Sequence, residues 1–424
     1  MSRKRWQQGK MMAAGLIIAM VLTGCGAAAG TGGQESGTVT DGQVTVEENV
    51  EETAVRTAPE APTSYVTEEM MEEATQFANI NLARLRDVML RAEAGEDITV
   101  GVIGGSITQG SSATSKEKSY AAIMRNWWTE TFPNSEITYV NAGIGGTDSL
   151  FGVHRMGEDL LAYDPDFVIV EFSVNDSNDN LHKCTYENVV RRILMQENDP
   201  AVLLLYMTME DGTSAQSNDA LVGFYYNLPQ ISYHDTIMAR MKAGDLTWTE
   251  ISPDNIHPND YGHAICGELV WKYLSDVYER LDEITDEYTV PATAQTNDGY
   301  MNAVILDHTD LAADATEGFA EGSVNWCDYS DGWSCMDGGS IEFTVEAKRI
   351  GVLYYKSVSG EYGTADVYVD GDHCYSLVGN FSGGWGNYGL GESVFSEKET
   401  ETHTIRIEVP EGKKFDILGI MIAD

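Results

Sequence analysis

Four apolar runs of strand length, "ITVGVI", "EITYVNA", "DFVIVEFS" and "AVLLLYMT", recur between residues 98 and 208. The stretches between them, "SYAAIMRNWWTETF", "SLFGVHRMGEDLLAYD" and "YENVVRRILMQE", carry apolar residues at helical spacing. A strand that is apolar along its whole length has no face to spare for water. It belongs in a sheet covered on both sides, and strand-then-helix repetition makes that sheet parallel. A helix over about Asp260 to Leu281 closes the unit. Another opens it near Glu68, with acids in its first turn and apolar positions from Met71 to Leu90. The α/β domain is expected over residues 64–285.

After "TDEYTVPATAQTNDG" the pattern changes. "SIEFTVEA", "RIGVLYYKS", "TADVYVDG", "THTIRIEV" and "FDILGIMIA" are short, alternating or β-rich runs divided by Gly, Asp and Asn turns. No helical stretch interrupts them. Residues 298–424 are therefore expected to form a separate antiparallel β-sandwich of jelly-roll-like type.

The first residues read as a transport signal. "SRKRWQQGK" is basic, "MMAAGLIIAMVL" is apolar but too short to span a bilayer, and "LTGC" follows. That ending resembles the bacterial lipobox, in which the cysteine is lipidated. The resemblance implies a signal peptide over 1–24 and a membrane anchor on Cys25, on the extracytoplasmic face of the cell envelope. Cleavage there would remove Arg3, Lys4, Arg5 and Lys10 and no acids, so the formal charge of -41 would become more negative still. Such acidity argues against nucleic acid as a partner. Residues 25–63 are poor in large apolar side chains and are expected to be a disordered acidic linker, a coil reaching on the order of 35 Å. Cys327 and Cys335 are candidates for a disulfide, although their spacing alone does not establish one.

In an open parallel sheet, ligands gather at the carboxyl ends of the strands. After the first strand stands "GGSITQGSS", with Ser106. It is not a phosphate loop, because Gly110 is followed by Ser111 and not lysine. Nor is it the G-x-S-x-G elbow, because Thr108 replaces the second glycine. After the second strand comes "NAGIGGTDS", and after the third "EFSVNDS", with Asn175 and Asp176. Before the last helix comes "SPDNIHPNDYGH", with Asp254 and His257. A serine hydroxyl needs a base to take its proton, and a histidine needs an acceptor on its other nitrogen to hold the right tautomer. Asp254, three residues before His257, is placed to be that acceptor. The oxyanion of acyl transfer needs hydrogen-bond donors, available from the backbone of Ser106, the "GIGG" turn and the Asn175 amide. His263 reads as structural, and His234-Asp235 lacks a nucleophile. The six-residue spacing of His257 and His263 is not that of a helical zinc site, so no metal or other cofactor is implied.

These blocks, in this order, resemble the SGNH (GDSL-type) hydrolases over roughly residues 98–280. The resemblance implies a three-layer α/β/α fold with Ser106 as nucleophile, His257 and Asp254 completing a triad, and Ser106, Gly146 and Asn175 lining the oxyanion hole. Gly145 is a rival to Gly146. The chain departs from the family's Gly-Asp-Ser at Gly105. An exported hydrolase with an added β-sandwich is similar to multidomain carbohydrate esterases, which implies hydrolysis of small acyl esters, acetyl above all, on polysaccharides. Trp385 and Tyr388, in the glycine-rich "NFSGGWGNYGLG", are candidates for stacking on sugar. A lipase or short-chain-ester hydrolase, and a non-catalytic glycan-binding lipoprotein, remain as alternatives.

Overall fold

The apolar runs are the strands of a five-stranded parallel sheet in the computed structural model, which describes residues 56–383 and 386–424. This part of the chain begins with α1 (Glu68–Ala74), α2 (Ala83–Glu93), β1 (Ile98–Gly104), α3 (Ser106–Gln109) and α4 (Tyr120–Thr131). Then come β2 (Ile137–Gly143), α5 (Ser149–Asp159), β3 (Phe167–Glu171), α6 (Asn180–Leu194) and β4 (Ala201–Tyr206). It ends with α7 (Gln216–Tyr225), β5 (Gln230–Ser232), α8 (Tyr233–Ala243), α9 (Trp248–Ile251) and α10 (Asp260–Glu279). The strand order is β2-β1-β3-β4-β5. From β1 the chain goes to one side for β2 and to the other for β3, so a crevice opens at the carboxyl ends of β1 and β3. Both faces of the sheet are covered. Phe167 and Ile169 of β3 pack among α2, α4 and α10, while Val168 and Val170 pack among α5 and α6.

The single helix expected to open the domain is two. Between α1 and α2, Asn79 takes a left-handed φ of 59°, a conformation asparagine tolerates well. Asn81 then caps α2, its Oδ1 accepting from the Ala83 N–H at 2.9 Å. Phe77, in the break, packs against the rings of Tyr206 and Phe224.

The expected linker also ends earlier than composition indicates. Residues 56–63 lie along α10. The fully buried Glu268 carboxylate accepts from the Thr63 hydroxyl at 2.6 Å and from the N–H groups of Tyr65 and Val66. Trp271 donates its indole N–H to the Pro59 carbonyl, and the Ala58 N–H meets Glu279. Arg56 pairs with Glu93 and Asp282. The strap thus runs antiparallel to α10, from Arg56 at its carboxyl end to Tyr65, which meets Tyr261 edge-on at its amino end. It is held through backbone groups, which a composition argument does not see. The signal segment, Cys25 and Trp385 lie outside the described residues.

The second part comprises β6 (Val304–Leu306), β7 (Ala315–Glu321), β8 (Trp333–Lys356), β9 (Thr364–Val369), β10 (Asp372–Val378), β11 (Tyr388–Val409) and β12 (Phe415–Ala423). The order is β10-β9-β11-β8-β12-β6, with β7 also on β8. "SIEFTVEA" and "RIGVLYYKS", separate runs in the sequence, are halves of the one long strand β8. Ile417 lies opposite both Trp333 and Tyr354, so β8 bends around β12 and the sheet folds over its own core as a β-sandwich. Its outer face joins the α/β domain: Phe151 of α5 meets the rings of Trp326 and Tyr329, and Leu353, Leu418 and Met421 share the same apolar cluster. The candidate disulfide does not form. Cys335 is a free thiol buried in the sandwich core, whereas Cys327 is exposed in the turn from Trp326 to Tyr329.

Candidate active site

Ser106 is the first residue of α3, directly beyond β1. The approach to it is crowded. A Cβ on Gly105 would stand 2.2 Å from Asn175 Oδ1 and 3.3 Å from the Thr147 carbonyl oxygen. The glycine, where the family pattern has aspartate, leaves this space to the Asn175 amide, which any side chain here would have to displace. As the first helical residue, Ser106 keeps a backbone N–H with no acceptor inside its own helix.

His257 stands in the loop between α9 and α10, and that loop is tied at every step. Asp254 Oδ1 accepts from the N–H groups of Ile256 and His257, at 2.8 and 2.7 Å. The indole N–H of Trp248 donates to the Asp254 carbonyl, and the Ser252 hydroxyl lies 2.7 Å from the carbonyls of Asp254 and His257. Asn259 caps α10 through the N–H groups of Tyr261 and Gly262. The Asp-x-x-His spacing works because one turn brings the carboxylate back under the ring.

The outcome is a continuous chain of contacts. Ser106 Oγ lies 2.9 Å from His257 Nε2, and Asp254 Oδ2 lies 2.8 Å from His257 Nδ1. With Nδ1–H donated to the carboxylate, Nε2 offers its lone pair to the serine proton. Burial pulls the Asp254 carboxyl upward, but hydrogen bonds from the His257 and Ile256 backbone and from the His257 ring outweigh it, leaving the group below its ordinary value. The site is open: the His257 and Asp254 side chains are 27% and 43% exposed.

The two glycines of the "GIGG" turn are not equivalent. Gly145 donates its N–H to Gln109 Oε1 at 3.2 Å. The Gly146 N–H makes no hydrogen bond among the described residues, and its φ of 73° turns the chain beside Ser106. That favours Gly146 as the donor. Asn175, at the end of β3, covers Gly105 with its amide.

Three supports were not legible as such in the sequence. Arg155, buried on α5, donates to the carbonyls of Ala142 and Gly104 and so ties the ends of β2 and β1. Thr108 donates to Glu171 at 2.9 Å below the α3 turn, where burial pushes the Glu171 carboxyl to about 7. Gln109 sets the glycine turn. His263 is structural, bridging the Ser111 carbonyl and the Tyr120 N–H. Tyr388 is the first residue of β11, with the Phe381 ring edge-on to it. Among the described residues no cluster of three His, Cys, Asp or Glu side chains is arranged to hold a metal.

Residues 102–265 match the GDSL-like Lipase/Acylhydrolase family. A two-domain esterase (CEX) active on acetylated mannans, crystallised with mannopentaose, is similar at TM-score 0.76 and 35% identity, over 84% of this chain and 98% of that one. A second crystal structure of a two-domain CEX esterase active on acetylated mannans gives 0.75 and 34% over the same shares. A comparison with curated proteins gives no match.

Proposed function

The chain belongs to the GDSL-like lipase/acylhydrolase family, and from that premise we propose that it is a serine esterase removing acetyl groups from polysaccharide hydroxyls. Carboxylic ester hydrolysis follows from the family and the two-domain likeness. The finer reading rests on one observation, the 2.9 Å approach of His257 Nε2 to Ser106 Oγ, with Asp254 behind the ring.

In the proposed cycle, Ser106 Oγ attacks the acetyl carbonyl carbon as His257 Nε2 takes its proton. The oxyanion is received by the Ser106 and Gly146 N–H groups and the Asn175 amide. His257 then protonates the sugar oxygen, which leaves as the alcohol. Water, giving its proton to His257 Nε2, attacks the acetyl-serine carbonyl; as the acyl–Oγ bond breaks, His257 returns that proton to Ser106 Oγ and acetate leaves. Asp254 holds the ring and stabilises the imidazolium in both halves.

Acetylated mannan is the first substrate to try, because the similar esterase acts on it. The mouth supports a polar polymer over a lipid. Among the described residues, the exposed large aromatic side chains nearest these loops are Tyr65 and Tyr261, each with a hydroxyl, at the amino end of α10. Gly391 of β11 stands against Phe151 on the first turn of α5, so the strand that begins at Tyr388 reaches the α/β part, and we propose sugar binding for Tyr388 and Trp385 on that ground. We further propose that residues 1–24 are a signal peptide and that lipid on Cys25 anchors the protein to the outside of the cell membrane.

The test is acetate release from acetylated mannan and a panel of other acetylated polysaccharides. Ser106→Ala and His257→Ala should abolish it while the far-ultraviolet dichroism stays unchanged, and Asp254→Asn should cost less. Full activity in Ser106→Ala would end the proposal.

A further inference from the structure

A histidine that no part of this mechanism uses stands behind the oxyanion loops. His182, in the first turn of α6, has a carboxylate at each ring nitrogen. Nδ1 lies 2.9 Å from Asp179 Oδ1, and Nε2 lies 3.5 Å from Asp148 Oδ2. Only the imidazolium can offer a proton to both. The two aspartates are helix caps: Asp148 accepts from the Phe151 N–H at the start of α5, and Asp179 from the His182 N–H at the start of α6.

The position of those caps gives the contact its interest. Asp148 follows Gly146 by two residues, and Asp179 follows Asn175 by four. Gly146 and Asn175 arrive on different loops, from β2 and from β3, so the distance between them is set by ties from one loop to the other, such as the Ser149 and Thr185 hydroxyls at 2.6 Å. Asp176 adds a cross-tie, its Oδ1 accepting from the Ser149 N–H at 2.7 Å. It is itself buried, and burial, with Asp148 beside it, pushes its carboxyl up to about 8. Asp148, Asp176 and Asp179 all face His182, and Asp219 of α7 stands behind Asp176. Burial also pushes the Asp219 carboxyl well up, so the two cap carboxylates, Asp148 and Asp179, are the ones a cation between the loops would join.

We propose that His182, as the imidazolium, is a positioning residue that clasps the caps of α5 and α6 and thereby sets the spacing of the Gly146 and Asn175 donors. The clasp rests on the oxyanion reading above, since it acts only through those two groups. Burial pulls the His182 ring down, but the carboxylates of Asp148, Asp176 and Asp179 outweigh it and hold the ring protonated to about pH 9. The clasp is therefore closed throughout the neutral range and opens in alkali.

The test measures p-nitrophenyl acetate hydrolysis by the full chain, from pH 7 to 10. His182→Gln should lower kcat by about tenfold or more, short of the ~10²–10³ for losing a donor outright, with KM changed less than threefold. The wild-type fall in kcat near pH 9 should vanish in that variant. His182→Lys, which restores the cation, should recover most of kcat and move the fall upward. If His182→Gln does not fold, Asp148→Asn and His182→Lys carry the same comparison. A kcat within twofold of wild type in His182→Gln, or an unchanged alkaline limb, would overturn the clasp. A purely structural role would lower the melting temperature while leaving the kcat of folded protein intact. Ser106→Ala, run in parallel, separates the two claims: activity there refutes the serine esterase, whereas an inactive Ser106→Ala beside an unaffected His182→Gln refutes only the clasp.

Discussion

Glu171 shows how much one buried side chain can say about pH. Its carboxyl sits under the α3 turn with no exposed surface, and burial raises it from an ordinary value of 4.5 to about 7. Between those values the folded chain binds more protons here than the unfolded chain. The stabilisation is thus complete below about pH 4.5 and is lost as pH rises towards 7, a difference on the order of 3 kcal/mol. Glu171→Gln cannot ionise, so its stability to urea should gain on the wild type at pH 8 and not at pH 4. An equal difference at both values would show the carboxyl to be ionised in the fold. At this scale the sequence was readable wherever a residue's partner lies nearby in the chain or at a strand end. Ser106, Asp254 and His257 are of that kind, and the structure brings them together. Gln109, Arg155 and His182 were not readable, because each acts by tying one loop or strand end to another. Gly105 looked like a departure from pattern, and only the position of Asn175 explains it.

Among the elements, fully apolar strands were the most legible, since burial on both faces leaves little room for another reading. The breaks were harder. The gap between α1 and α2 hinges on the backbone of Asn79 and the cap of Asn81, weak signals beside a long helical periodicity. The halves of β8 read as two strands because Lys348, Arg349 and Gly351 resemble a turn. The strap on α10 escaped composition altogether, because its hold is through backbone N–H groups on one buried carboxylate. Glu268→Ala should leave the N–H groups of Tyr65 and Val66 without their acceptor and cost about 1–3 kcal/mol. Limited proteolysis should then cut between residues 56 and 66 first. Resistance equal to wild type would mean that Arg56 and Trp271 hold the strap unaided.

For the whole molecule, the join between its two parts is apolar where a flexible tether would need none. Leu150, Phe151 and Met156 of α5 share a cluster with Tyr329, Leu353 and Met421. A chain ending at residue 297 should therefore expose that face and aggregate, or unfold at a lower temperature than the full chain, as light scattering and calorimetry would report. A truncated chain of unchanged melting temperature would show that the α/β part needs no cover. The strap also fixes where the chain joins the α/β part. It leaves α10 at Arg56, about 30 Å from the His257 end at 1.5 Å per residue. On the proposal that Cys25 is the anchor, a pull from that side reaches the α/β part at the end of α10 remote from Ser106.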